Sequence, residues 1–144
     1  MINTTNLEQA KKQIKQEKSP IMIKAQDPEF NRKVLEYGRF NILLFPESNV
    51  VKKDKPKQLD SGLNHVLAEI ATKNKVRIGI DLKDLRSMER KEKAIQLARI
   101  RQNIKICRKA KTKLALKNIK DKKDAFSLLL TLGASTQQAK EAII

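Results

Sequence analysis

Aromatic residues are scarce in this sequence: four Phe, one Tyr and no Trp among 144 residues. A platform of rings on which bases stack is therefore not expected, and any contact with nucleic acid must be led by other chemistry. There is one cysteine, Cys107, so no internal disulfide can form, and the chain reads as intracellular and cytoplasmic. There is one histidine, His65, far from Cys107 in sequence, which leaves no ligand cluster for a metal ion. No glycine-rich phosphate loop of the dinucleotide or P-loop kind occurs. The longest apolar runs, FNILLF and FSLLLTL, are far too short to span a bilayer. The opening segment MINTTNLEQAKKQ lacks the apolar core of a secretory signal.

Acidic residues are the other deficit. Sixteen Asp and Glu face 32 Lys and Arg, a formal net charge of +16. A chain so charged repels its own copies and attracts polyanions. Nucleic acid is the commonest such partner, and an anionic membrane surface is the alternative. Lysine and arginine release condensed counterions when they meet phosphates, so binding of this kind weakens steeply with salt. The sequence is 40% hydrophobic and 33% charged, enough apolar material for the core of one domain provided it is segregated by pattern.

That pattern alternates. Thr5-Asn6-Leu7-Glu8 reads as a capping box that opens a helix through Leu7, Ala10 and Ile14, ending near Lys18 before Ser19-Pro20. Residues 21–25 read as a short buried strand. Asp27-Pro28 is a cap followed by proline at the first helical position, Phe30, Val34 and Tyr37 share a face, and Gly38 is the stop. Residues 40–45 read as a second strand. A lysine-rich loop, PESNVVKKDKPKQLD, follows it. Ser61 then reads as the cap of a helix with Leu63, Val66, Leu67, Ile70 and Ala71 inward. Residues 75–81 form a third predicted strand. The basic helix after it, roughly 89–110, has Ala94, Leu97, Ala98, Ile100, Ile104 and Cys107 as its apolar set, with Arg101 intruding on that face. Residues 113–117 are the fourth predicted strand. Asp121 caps a helix through Leu128, Leu129 and Leu132 that stops at Gly133, and Ser135-x-x-Gln138 is a capping box for a last short helix.

Helices lie between successive strands, and no short hairpin turn joins any two of them. Helical crossovers imply parallel strands with right-handed connections. The strands are apolar on both faces, as buried parallel strands are. Four of them make half of an eight-stranded barrel or a small open sheet, and periodicity does not choose between the two.

Three segments, FNILLFPE, DSGLNHVLAEIATKNKVRIGIDLKDL and KDKKDAFSLLLTLGASTQQAKEAI, carry a family resemblance. The middle one has Gly62, Leu63, Asn64 and His65 ahead of an apolar helix, then Lys73-Asn74-Lys75-Val76 leading into a strand. The last has Lys120 or Lys123, then Asp124, and an apolar helix ending in Leu132-Gly133. In this order and spacing the chain resembles archaeal ribonuclease P protein component three, whose eukaryotic relatives serve ribonuclease P and ribonuclease MRP. The upstream strand-helix-strand segment KAQDPEFNRKVLEYGRFNILLFPE follows the same family order. The resemblance implies a seven- to eight-stranded β/α barrel and a part in removing the 5′ leader of precursor tRNA. It further implies ribonuclease P RNA and protein component two as partners, with hydrolysis performed by the RNA and its Mg²⁺. No catalytic residue, cofactor or metal is then expected on this chain, and no membrane partner. Two departures stand out. The family's first strand-helix units are missing, so residues 1–144 are expected to form a single truncated, TIM-like barrel domain of α/β class. Missing strands would expose sheet edges: either the barrel is partial and closed by another chain, or the protein self-associates, or it is a split or divergent version. The turn after the third strand is Lys83-Asp84, where the family has a basic residue and proline.

The candidate RNA contacts are the basic residues at helix ends and turns around the strands. They are Lys33, Lys73, Lys83 and Arg86 in the first part of the chain and Lys109, Lys111, Lys120 and Lys123 in the second. His65 joins them, since it lies opposite the apolar stripe of its helix and close to the helix N-terminus; a plain surface role is its alternative, as mere solubility is for any one lysine. A Mg²⁺ site at Asp81, Asp84 and Glu89 is disfavoured by the interleaved Lys83, Arg86 and Arg90, and a Cys107–His65 nucleophile pair by the place of Cys107 on an apolar face. Two competing readings remain: a general RNA- or ribosome-binding accessory protein, and a barrel hydrolase using Asp81 and His65.

Overall fold

The computed structural model describes residues 1–45, 62–83 and 85–143. Its elements run α1 (Leu7–Gln16), β1 (Met22–Lys24), α2 (Pro28–Tyr37), β2 (Ile42–Phe45), α3 (His65–Lys73), β3 (Arg77–Asp81), a short 3-10 turn (Leu85–Ser87), α4 (Arg90–Ala110), β4 (Leu114–Lys117), α5 (Lys122–Thr131) and α6 (Thr136–Ile143). The strands form one parallel sheet in the order β1-β2-β3-β4, each neighbour reached through a helix. This is the α/β alternation the sequence predicts, arranged as a part of a TIM-like barrel. The long lysine-rich loop, the Ser61 cap and Asp84 fall outside the described residues.

The register explains why such short strands hold together. Ile23, Leu43, Ile78 and Leu114 stand side by side across the sheet, and none is accessible to solvent. Ile2 extends the row by a parallel bridge to Ile23; its N–H donates to Met22 O at 2.8 Å, and Lys24 N–H donates to Ile2 O at 2.9 Å. The outer edge of β1, expected to be bare, is therefore partly paired by the chain's own first residues, which blunts it.

Alternation along each strand puts Ile42, Leu44, Gly79, Lys24, Asp81 and Lys117 on the other face. Gly79 is required there, because a Cβ on it would stand 2.8 Å from Ile42 Cγ2 and 2.9 Å from Leu44 Cδ1. Gly79→Ala is expected to lower stability by about 1–3 kcal/mol through overpacking. The midpoint of urea unfolding measures this; an unchanged midpoint contradicts the close approach.

Caps fix the helix starts. Asp27 accepts from Phe30 N–H at 2.8 Å, and Asp121 accepts from Asp124 N–H at 3.0 Å, both as predicted. The Ser135–Gln138 box is formed in both directions, at 3.0 and 3.1 Å, and the Gln138 amide also donates to Ile104 O, tying α6 to α4. Gly38 closes α2 at φ +65°, a conformation that favours glycine.

Several expectations are corrected. Helix α1 is capped by Asn6, not Thr5: Asn6 accepts from Gln9 N–H at 3.1 Å, and α1 ends at Gln16 and not near Lys18. Asn is at least as good a cap as Thr, so the helix starts one residue later. Helix α3 begins at His65 with Asn64 as its cap, accepting from Leu67 N–H at 2.9 Å. Leu63 thus lies outside the helix, the inner stripe becomes Leu67, Ala68 and Ala71, and Val66 is 52% exposed. In α4 the buried set is Gln96, Ile100, Asn103, Ile104 and Cys107, a clean i, i+4, i+7, i+8, i+11 stripe. Ala94 and Arg101 lie off that stripe and are exposed.

Candidate nucleic-acid interface

Residues 90–123 contain 14 of the 32 basic residues and two of the 16 acids. Helix α4, strand β4 and the start of α5 therefore hold most of the excess charge. Ion pairs on α1 and α2 join Lys11 to Glu8, Arg32 to Glu36 and Lys33 to Glu29, and on α3 His65 contacts Glu69 at 2.7 Å. Three of these contacts tie a lysine or arginine of α1 or α2 to a glutamate, whereas Arg101, Lys105, Arg108, Lys109 and Lys111 of the second half are exposed.

Helix α4 has 21 residues, about 30 Å of axis at 1.5 Å per residue. Its solvent face carries Arg101, Lys105, Arg108 and Lys109, with the small Ala94 and Ala98 toward its start. The Arg101 guanidinium reaches Thr131 O, and that of Arg108 reaches Gly133 O, each at 3.5 Å. These contacts at the end of α5 suit cations by the sign of the helix dipole. They lay the two guanidinium groups along the seam between α4 and α5, with donors to spare for phosphate.

A second feature lies where β1, β3 and β4 end, at Lys24, Asp81 and Lys117. Open parallel sheets and barrels bind ligands at this end of their strands. Here a cavity of about 960 Å³ opens, walled by Lys24, Lys83, Arg86, Lys117 and Lys120 over apolar side chains that include Leu82 and Leu128. The Asp81 carboxylate is engaged in shaping the turns: it accepts from Lys83 N–H at 2.9 Å and from the Asn118 amide at 2.6 Å. Asn118 itself sits at φ +62°. Asp121 is engaged as the cap of α5.

The nine predicted contact residues thus divide. Lys83, Arg86 and Lys120 meet at the cavity. Lys123 lies beside it on α5, bordering an apolar groove with Phe126 and Lys140. Lys109 and Lys111 lie at the C-terminal end of α4 and Lys73 at that of α3, at the opposite end of the sheet. Lys111 caps α4 in the left-handed conformation, φ +60°. It precedes buried Thr112, whose hydroxyl donates to Ala68 O at 2.9 Å and meets that of Thr72 at 2.7 Å. Lys33 and His65 join neither cluster. Lys33 is held by Glu29 at 2.9 Å, which raises its ammonium pKa above the usual value, and His65 pairs with Glu69 at 2.7 Å. Sequence reasoning missed Lys24 and Lys117, and the stripe Arg101–Lys105–Arg108. The last residue of each strand was the available signal for the first pair, and helical spacing of charge for the second.

Cys107 is buried, and burial pushes its thiol up to about 12, against a weaker opposing effect of its bond with Thr112. The folded thiol therefore keeps its proton where the unfolded one, near 9, has lost it. Its contribution to stability is complete below about pH 9 and declines as pH rises toward 12. Alkylation by iodoacetamide at pH 8 is expected to require unfolding; fast labelling of the native chain contradicts this. Among the described residues no three His, Cys, Asp or Glu side chains group as metal ligands, and no helix is long and apolar enough to cross a membrane.

The fold and charge distribution define a strongly basic part-barrel with a cationic helix on one side and a cation-walled cavity at its strand ends. The chain is similar to ribonuclease P protein component 3 of Methanococcus maripaludis strain C7, with 26% identity over 114 residues, 79% of this chain and 46% of that protein. The protein of the same name from Methanococcus vannielii is 27% identical over 114 residues, with the same coverage. The chain spans about half the length of these curated relatives. A chain in the cryo-EM structure of archaeal ribonuclease P with mature tRNA superposes with a TM-score of 0.80 at 26% identity, covering 99% of this chain and 62% of that one. No family profile matches the sequence.

Proposed function

We propose that this chain is an RNA-binding protein subunit of ribonuclease P type. It helps a catalytic RNA remove the 5′ leader of precursor tRNA and performs no bond-breaking chemistry itself. The observation that carries this is the gathering of cations on α4, β4 and α5, outside the ion pairs of the first half, in a chain similar to ribonuclease P protein component 3. Ribonuclease P RNA and precursor tRNA are its partners in this reading, protein component two is its neighbour, and the Mg²⁺ of the reaction belongs to the RNA. Its place of work is the cytoplasm.

Lysine and arginine on a helix face grip phosphates without reading bases, which positions an RNA and specifies nothing. The scarcity of aromatic residues fits that mode. The test is reconstitution. The chain is added with component two to ribonuclease P RNA, and precursor-tRNA cleavage is followed at low Mg²⁺. Stimulation is expected; RNA binding without stimulation favours a general RNA-binding accessory protein. Replacing Lys120 and Lys123 together is expected to weaken RNA binding several-fold and to flatten its salt dependence by up to about two units of slope. Filter binding over a range of salt concentrations measures this, and unchanged affinity and slope count against these two lysines.

A further inference from the structure

The cavity at the strand ends and the face of α4 have different shapes, and shape selects the form of RNA each can hold. Helix α4 is about 30 Å long, and its exposed cations Arg101, Lys105, Arg108 and Lys109 span about 12 Å of it, a straight stretch whose shape fits along the backbone of a double helix. A concave cavity of about 960 Å³ does not admit the side of a duplex; it is at the upper end of the roughly 300–1,000 Å³ typical of sites that enclose a small ligand. Its walls are cationic, while Leu82 and Leu128 give it apolar surface. No ring is among its lining residues, yet the exposed Arg86 guanidinium offers a flat surface on which a base can lie. Of the three carboxylates in its lining, Asp81 and Asp121 accept from backbone N–H groups and the Asn118 amide and shape the rim, and Asp124 stands exposed at the start of α5; five lysine and arginine side chains against these three acids leave the walls net positive.

We propose that this cavity takes the unpaired end of an RNA strand, one or two nucleotides long, with phosphates on Lys24, Lys117 and Lys120 and a base between Arg86 and the apolar wall. The inference rests on the RNA-binding reading above and adds to it a second site, specific for single-stranded ends and tolerant of base identity. The α4 ridge and the cavity then divide the work: one holds a helix, the other the strand that leaves it.

The experiment uses the full chain and two fluorescent RNA hairpins, identical except that one carries a three-nucleotide single-stranded extension. Anisotropy is expected to show the extended hairpin bound about tenfold more tightly than the blunt one. Lys24→Gln removes a cavity charge, and Leu82→Trp fills the cavity without changing charge. Each is expected to abolish that gain while blunt-hairpin affinity stays within about twofold. Circular dichroism checks that both variants fold, and Lys24→Gln alone decides the matter if Leu82→Trp does not. Equal binding of the two hairpins by the unaltered chain, or variants that lose both affinities in proportion, overturns the proposal while leaving the RNA-binding reading intact. Failure to bind either hairpin overturns both.

Discussion

Replacing Arg101, Lys105, Arg108 and Lys109 together by glutamine lowers RNA affinity at about 0.1 M salt by about a hundredfold or more. Each phosphate contact releases close to one counterion, and at that salt concentration one contact is worth about tenfold in affinity. Two engaged residues out of the four suffice for the stated loss. All four are exposed, and the contacts that Arg101 and Arg108 make to Thr131 O and Gly133 O are long, at 3.5 Å. Surface substitutions of this sort usually change stability by less than about 0.5 kcal/mol each, so the variant is expected to fold. Gel-shift or anisotropy titration against a structured RNA measures the loss. An affinity within threefold of the unaltered chain means that α4 is not the surface that RNA meets.

Ile78→Ala is the substitution expected to damage the fold most. Ile78 lies at the centre of the sheet, paired in register with Leu43 on one side and Leu114 on the other, and all three are fully buried. Truncation removes apolar surface and leaves a cavity between strands that are only four or five residues long. The expected cost is about 2–5 kcal/mol, a large share of the roughly 5–15 kcal/mol by which domains are stable. Chemical denaturation is the measurement. A loss below about 1 kcal/mol contradicts the continuous row from Ile2 to Leu114.

The contrast between these residues shows what the sequence makes legible. Elements were legible where chemistry is local. Asp27-Pro28, Asp121 and the Ser135–Gln138 pair cap their helices as read, because a cap depends on neighbours three residues away. The parallel order followed from helices standing between strands. What failed was rotation about the helix axis. Val66 and Ala94 read as inward because they are apolar, yet the buried stripes of α3 and α4 run through Ala68 and through Gln96 and Asn103 instead. Tertiary packing decides which side of a helix meets the sheet, and here it turns Gln96 and Asn103 inward despite their amides. Likewise Ile2 was not legible as a partner of β1, since a single bridging residue leaves no periodic trace.

The site was legible as a charge and not as a place. Lys83, Arg86 and Lys120 were singled out and do come together. Lys33 and His65 were also singled out, and they lie in i, i+4 pairs with Glu29 and Glu69. Counting lysines does not tell a neutralised one from a bare one, although the Glu four residues away could have been weighed in both cases. Lys24 and Lys117 become visible only once the strands are known to be parallel and to end together.

If bare, clustered cations hold RNA by its phosphates, binding releases counterions and the slope of log affinity against log salt for the unaltered chain is steep. A slope of about −4 or steeper is expected, reflecting on the order of five or more phosphate contacts made at once. A slope shallower than about −1, or affinity that salt leaves unchanged, contradicts it.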